Sequence, residues 1–228
     1  MLYNYSTLFI MFIMYSFIGY LVEVLSVSLG QKKIILSRGF LIGPYLPIFG
    51  IGSIFMSIYL VKYHNSLFEL FIMSMLSCLV IEYLGSSIME RIFKLRWWDY
   101  SHKKYNVNGR ICLETGILFG IGGIVVVKII DPFLKGIISL LPEVLVIILG
   151  IVLTVIFIID FIISYYITFN LKINVSKYCN KDATEEIKKL IREELAKHKL
   201  LTYRLVDSFP DAMDRYHQKI SQYINKEK

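Results

Sequence analysis

Three carboxylates lie inside long apolar stretches of this sequence, where a charge is costly. They are Glu23, Glu82 and Asp160. A charged side chain at the centre of a bilayer costs about 2.5–3.5 kcal/mol on insertion scales, so such a group usually faces protein or water rather than lipid. These residues could form structural ion pairs, line a path for a substrate or an ion, or act as catalytic acids and bases.

Small and polar residues accompany the carboxylates at helical spacing, which is typical of helix–helix contacts in membranes. These stripes are Ser16, Gly19, Glu23 and Ser26; Ser74, Cys78, Glu82, Ser86 and Glu90; and Asp160, Ser164 and Thr168, with a further pair at Gly116 and Gly120. We expect the charged members to lie in one half of a bundle. The predicted polar cluster contains Glu23, Arg38, Glu82, Glu90, Arg110, Glu114 and Asp160.

A second candidate is a helix-break motif within the segment 38–50. Its members are Gly43, Pro44, Pro47 and Gly50. Proline removes a backbone donor and glycine permits unusual dihedral angles. Broken helices at membrane depth occur where protein or water satisfies the backbone, and in transporters they often line binding sites. The other interpretation is a kink, or a helix that begins at the membrane interface.

A third candidate is a polar, aromatic loop that contains both tryptophans of the chain. The predicted loop site consists of Arg96, Trp97, Trp98, Asp99, Asn106 and Asn108. Adjacent tryptophans are typical of the aromatic belt at the level of lipid headgroups. The polar residues exceed what an anchor requires. We therefore expect an ordered cytoplasmic loop that caps the bundle and contacts a lipid or ligand headgroup.

Several classes of function lack their sequence signals. The four histidines and three cysteines are dispersed without metal-ligand spacing, so no metal site is predicted. The chain has no P-loop, no HExxH motif and no G-x-S-x-G elbow. We expect no cofactor and assign no catalytic residue. The net charge of +7 is explained by loops that orient a membrane protein, so nucleic acid is not an expected partner.

The elements that must position these residues are membrane helices. The chain of 228 residues is 56% hydrophobic and only 19% charged. A helix needs about 20 mostly apolar residues to cross a bilayer. We therefore predict an all-α integral membrane protein with a bundle of about five transmembrane helices over residues 1–169. The predicted spans are 5–29, 40–61, 67–91, 111–130 and 143–169.

The distribution of Lys and Arg predicts the orientation of the bundle. Loops 30–39 and 91–110 and the tail 170–228 would share one side, and the other side would hold only Lys62, Lys128 and Lys135 of the 25 basic residues. Basic loops stay in the cytoplasm. We expect the N-terminus outside and the C-terminus inside a bacterial cytoplasmic membrane. The tail 170–228 is predicted to form amphipathic helices in the cytoplasm, with apolar residues at helical spacing.

These motifs together resemble a family of bacterial membrane proteins, the ABC-transporter type IV or CmpB-like permeases. The resemblance runs from about Gly19 to Gly123. It rests on Gly19, Glu23, Arg38-Gly-Phe-Leu, Gly43-Pro44, Pro47-Ile48, Glu82-Tyr83, Glu90, Arg96-Trp-Trp-Asp-Tyr-Ser101, Asn106, Asn108 and Gly109-Arg-Ile-Cys-Leu113. Phe49 departs from the tyrosine expected there, so a hydroxyl is missing. The resemblance implies a permease and carries no catalytic residue across.

The leading hypothesis is a permease-like membrane subunit that contacts the lipid bilayer. As an ABC permease it would need a separate ATPase subunit, and a homo-oligomer is also compatible with the sequence. One alternative is a non-transporting sensor, scaffold or assembly factor whose tail recruits partners. Another is a membrane enzyme that modifies lipids, with Glu82 or Asp99 as acid or base. The substrate cannot be read from the sequence.

Overall fold

Five helices and one short β-hairpin form the part of the chain that the computed structural model describes, residues 2–31, 39–93 and 97–178. The helices are α1 (Leu2–Gln31), α2 (Pro47–Tyr63), α3 (Leu67–Phe93), α4 (Leu113–Ser139) and α5 (Glu143–Tyr178). The hairpin strands are β1 (Asn106–Val107) and β2 (Ile111–Cys112). The prediction of a helical membrane bundle is confirmed.

Four of the helices in the described ranges are long and apolar enough to cross a membrane: α1, α3, α4 and the first part of α5. The chain is therefore a multi-pass membrane protein. Helix α2 is apolar but shorter. Its residues 47–63 extend roughly 25 Å at 1.5 Å per residue, against a hydrocarbon core of about 30 Å.

Three predicted spans differ from the helices that form. The span predicted over 40–61 is helical only from Pro47, because residues 39–46 form an irregular segment. Helix α4 continues to Ser139, beyond the predicted end at Ile130. Helix α5 continues to Tyr178, into the predicted tail, and residues 179–228 lie outside the described part of the chain.

Helices that follow one another along the chain alternate in direction. On the paired faces of α1 and α2, Gly19 approaches Phe49 and Ser16 approaches Gly50, so these helices are antiparallel. Helices α3 and α4 are antiparallel as well, since Gly116 faces Leu79 and Gly123 faces Ser74. Helix α5 runs parallel to α1, with Gly150 against Ser6 and Phe157 against Phe9 and Phe12.

Glycines allow these backbones to approach closely. A Cβ atom at Gly120 would come within 2.5 Å of the Phe71 ring, and one at Gly150 would come within 2.5 Å of the Ser6 Cβ. Because lipid tails are as apolar as leucine, membrane helices associate through such close packing rather than through a hydrophobic driving force. The predicted Gly116–Gly120 pair lies in the α3–α4 contact, where both residues are buried.

Two π-helical segments interrupt the regular hydrogen-bond ladder. One is Met56–Leu60 in α2, and the other is Val126–Ile130 in α4. The second lies just before Pro132. Proline has no N–H to donate, and its ring clashes with the carbonyl four residues earlier, which a wider turn relieves. The two segments contact each other across the α2–α4 interface.

Candidate functional site

The irregular segment 39–46 is held by Asp160 of α5. The Asp160 carboxylate accepts hydrogen bonds from the backbone N–H groups of Ile42 and Gly43, at 2.9 and 2.7 Å. The hydroxyl groups of Tyr45 and Ser164 donate to it as well. Amides that a helix would have paired are thus satisfied by a side chain 117 residues away. The helix-break motif is therefore the start of α2, and its partner is a buried carboxylate.

Pro47 occupies the first turn of α2, a position where the missing N–H is unpaired in any helix. Leu46 lies immediately before the helix, and its N–H donates to the carbonyl of Ser16 on α1 at 2.9 Å. Gly50 is buried against Ser16 and Phe12. The motif thus fixes α2 to α1. Phe49, the position without the expected hydroxyl, packs its ring against Gly19.

The loop 97–112 folds into an ordered cap at the end of the bundle where α3 ends and α4 begins. Its hairpin turns at Asn108 and Gly109, which both have positive φ, at 52° and 65°. The N–H of Arg110 donates to the carbonyl of Val107 at 3.0 Å. A two-residue turn of type I′ requires positive φ at both central residues, and Asn-Gly is its preferred sequence. This hairpin was not predicted from the sequence, although the Asn-Gly pair is a sequence signal for it.

The polar loop residues hold this fold together. Asn106 donates through Nδ2 to the Lys103 carbonyl at 2.7 Å and accepts from the Gly109 N–H at 3.0 Å. Asn108 donates to the hydroxyl of Tyr83 on α3 at 3.1 Å. Asp99 accepts from the N–H and hydroxyl of Ser101. These contacts give structural roles to three residues of the predicted loop site.

The two tryptophans both contact other groups of the protein. Trp97 is buried at 8% exposure, with edge contacts to the rings of Phe40 and Phe93. Trp98 donates its indole N–H to the carbonyl of Arg110 at 3.0 Å. Arg96, predicted beside them, lies outside the described residues, as does Arg38.

Arg110 ties the loop to α3. Its guanidinium forms an ion pair with Glu90 at 2.8 Å and donates to the Ser86 hydroxyl at 3.2 Å. The same group lies over the Tyr83 ring, 5.7 Å from the centroid. Residues 83, 86 and 90 share one face of α3 at helical spacing. Two residues of the predicted cluster, Glu90 and Arg110, are therefore direct partners.

Glu82 is the member of the cluster whose bonding is incomplete. Its side chain is 7% exposed, and Oε1 accepts a hydrogen bond from the Tyr100 hydroxyl at 3.2 Å. Oε2 is buried and has no hydrogen-bond partner among the described residues. Cys78 lies one turn earlier on the same buried face of α3. A buried carboxylate oxygen normally has a donor, so this atom is available to one.

Tyr100 and Glu23 complete the surroundings of Glu82. Burial raises the pKa of the Tyr100 phenol above its ordinary value, and the carboxylates of Glu82 and Glu23 raise that pKa further. The phenol therefore stays protonated and remains a donor. The half-buried Glu23 side chain on α1 thus lies within electrostatic range of this pair. The site combines two carboxylates of the helices, Glu23 and Glu82, with one phenol of the cap, Tyr100.

The structure does not gather every predicted member of the cluster at one point. Glu114 forms an exposed ion pair with Lys103 at 2.6 Å, with a carboxylate side chain 61% exposed. The partners of Asp160 lie on α5 and in the segment 39–46, and they include neither Glu82 nor Arg110. The predicted cluster is thus divided among separate contacts.

Sequence reasoning missed a buried carboxylate at Asp131. Its side chain accepts hydrogen bonds from the Tyr15 hydroxyl at 2.7 Å and the Ser57 hydroxyl at 2.5 Å, and it pairs with Lys135 at 2.7 Å. The predicted fourth span ended one residue before Asp131. Charges at 128, 131 and 135 follow helical spacing within an apolar run, and this signal predicts that the helix continues.

Comparison with known proteins identifies one family. The family described as "Putative ABC-transporter type IV" matches residues 10–165, which include α2, α3, α4 and the cap together with most of the apolar parts of α1 and α5. No curated protein and no solved structure is significantly similar to the chain.

Proposed function

Since the chain belongs to this ABC-transporter type IV family, we propose that it is the permease subunit of a transporter and that Glu82 lies at its polar site. The family and the apolar helices show that the chain is a membrane component of the transporter type. Its role as the permease subunit, and Glu82 as the position where a substrate or an ion meets the protein, are inferred from the contacts around Glu82.

The observation that carries the site is the buried Oε2 atom of Glu82, which has no hydrogen-bond partner in the part of the chain that the structure describes. Asp160 and Asp131 are buried too, but each accepts hydrogen bonds from several protein groups. Among the described residues, Glu82 has one hydrogen-bond donor, Tyr100, and a second carboxylate, Glu23, lies close enough to act on that phenol. An ionisable residue within a membrane bundle marks a functional site by default, and an unused acceptor strengthens that assignment.

We place the N-terminus outside and the cap 97–112 in the cytoplasm of a bacterium. The basic residues Lys103, Lys104 and Arg110 of the cap favour the cytoplasmic side. Glu82 then lies in the cytoplasmic half of the bundle. The sequence has no P-loop of its own, so the ATPase would be a separate chain. That chain would dock on the cytoplasmic side.

Exchange of Glu82 for glutamine tests the site. The variant E82Q removes the charge and retains the size, whereas the control E114Q changes an exposed carboxylate paired with Lys103. Mass spectrometry would compare the small-molecule content of cells that express wild type, E82Q, E114Q or no protein. We expect the wild-type difference from empty cells to disappear in E82Q and to persist in E114Q, with equal amounts of folded protein in the membrane.

Two results would contradict the assignment. A wild-type profile in E82Q would exclude a role for the carboxylate in transport. Loss of folded E82Q, with E114Q unaffected, would make Glu82 a structural group.

The partner has its own test. Purification of the full chain in mild detergent should recover an ATPase, identified by mass spectrometry. Its absence from a preparation that keeps other membrane complexes intact would refute the ABC arrangement.

A further inference from the structure

A second polar site, separate from Glu82, lies near the middle of the bundle at Asp131. Asp131 is buried, and its carboxylate is contacted from α1, from α2 and from the next turn of its own helix, α4. Tyr15 belongs to the middle of α1, Ser57 to α2, and Lys135 to the next turn of α4 itself. A buried charge at this depth is expensive, so the bundle holds it through specific partners.

The groups around Asp131 are hard oxygen donors. They comprise one carboxylate, one phenol and one aliphatic hydroxyl. Hard oxygen ligands suit alkali and alkaline-earth cations rather than softer transition metals. Divalent cations such as Ca²⁺ usually take several carboxylates, and here only one carboxylate is present among these partners. The single negative charge therefore matches a monovalent cation.

A cation already fills this position in the structure: the ammonium group of Lys135, 2.7 Å from Oδ2. The Lys135 side chain is 49% exposed, whereas that of Asp131 is 5% exposed. The lysine thus reaches a buried acceptor from the edge of the bundle. Its long aliphatic stem lets it withdraw towards the nearer surface without unfolding the helix.

The backbone at this point is irregular on both sides. The π-helical segment Met56–Leu60 contains Ser57, and the π-helical segment Val126–Ile130 ends directly before Asp131. Such segments occur frequently at functional sites, because the wider turn re-aims the side chains near it. Two π-helical segments therefore meet at one buried carboxylate. This irregular backbone marks the position independently of the ion pair.

We propose that Asp131, Tyr15 and Ser57 form an exchangeable site for a monovalent alkali cation, occupied in this structure by the Lys135 ammonium. When the ammonium is bound, both hydroxyl groups donate to the carboxylate. When an alkali cation replaces it, the hydroxyl hydrogens rotate away and the oxygen lone pairs face the ion, since a hydroxyl group can donate and accept. Lys135 competes with the cation for Asp131.

The test uses the full chain in detergent. The variant K135Q removes the competing ammonium, and K128Q is its control, a change of another lysine on α4. Binding of radioactive Na⁺ would be measured directly, together with thermal unfolding in NaCl and in N-methylglucamine chloride at equal ionic strength. We expect K135Q to bind Na⁺ with a half-saturating concentration about tenfold below that of wild type, within the usual range of coupling between competing sites.

Three further variants test the proposed cation site. K128Q should bind Na⁺ as wild type does, and the double variant D131N/K135Q should lose saturable binding. In the wild-type background, S57A should raise the half-saturating concentration, which supplies a result even where K135Q fails to fold.

The proposal fails if K135Q binds no Na⁺ and unfolds at the same temperature in both salts. It also fails if K128Q gives the same tenfold change, because the effect would then be a general response to lost positive charge. Retained binding in D131N/K135Q would place any Na⁺ site elsewhere.

Discussion

Asp160, Asp131 and Glu82 are all buried, yet they receive different numbers of hydrogen bonds. Asp160 accepts from two backbone amides and two hydroxyl groups. Asp131 accepts from two hydroxyl groups and an ammonium group. Glu82 accepts from one phenol among the described residues. The protein groups that bond Asp160 fix the fold, whereas the incompletely bonded Glu82 can receive a ligand and Asp131 can exchange its ammonium partner for another cation. The kind of hydrogen-bond partner thus separates roles that burial alone leaves equal.

The variant D160N should destabilise the bundle more than S164A. Both Asp160 oxygens accept hydrogen bonds, and asparagine would direct an NH₂ group at donors such as the Gly43 amide. An unsatisfied buried donor costs about 1–3 kcal/mol. S164A removes only one of four donors and retains the carboxylate. Thermal unfolding in detergent, followed by tryptophan fluorescence, would measure the difference.

Equal midpoints for D160N and S164A would contradict this account. They would mean that the segment 39–46 does not depend on the carboxylate for its backbone hydrogen bonds.

From the sequence, the buried carboxylates could be predicted more reliably than their hydrogen-bond partners. Glu82 and Asp160 could be identified because they interrupt apolar runs. Their partners could not, because Asp160 contacts a segment 117 residues away and Tyr100 reaches Glu82 through a folded loop. Spacing along one helix reports which residues share a face. It does not report which other helix covers that face.

At the scale of elements, the apolar length of the spans predicted the helices well, because every backbone group in lipid must be bonded internally. The first, third and fifth predicted spans lie within α1, α3 and α5, although α5 continues beyond the predicted end at residue 169 to Tyr178. The second was predicted too long, since residues 40–46 are irregular and the amides of Ile42 and Gly43 donate to Asp160 instead of to helix carbonyls. The fourth was predicted too short, because Asp131-Pro132 reads as the end of a helix while the structure continues through a π-helical turn.

The hairpin of the cap shows what local sequence can and cannot indicate. Asn108-Gly109 favours a type I′ turn by itself, because both residues tolerate positive φ. The cap's attachment to α3 depends on Arg110 with Glu90, and on Asn108 with Tyr83. These contacts join residues that are 20 or more positions apart, so a motif within one segment cannot reveal them.

At the scale of the whole molecule, the alternating helix directions place two groups of loops at opposite ends of the bundle. The turn 64–66 and the turn 140–142 lie with the start of α1, whereas the cap 97–112 lies with its end. Helix α2 brings the chain back to the end of the bundle where α1 begins, and it does so in only 17 residues. A short span is accommodated by local thinning of the bilayer or by flanking side chains such as that of Lys62, which snorkel to the surface.

This arrangement predicts that Asn65 and Lys104 lie on opposite sides of the membrane. Both are exposed, and they lie beyond opposite ends of α3, whose 27 residues extend about 40 Å. In a background with Cys78, Cys112 and Cys179 changed to serine, N65C should react with a membrane-impermeant maleimide in intact cells, whereas K104C should react only after the cells are opened. Labelling of both variants in intact cells would place the cap outside and remove the basis for a cytoplasmic ATPase. Labelling of K104C alone would invert the bundle, so that Glu82 would face the exterior.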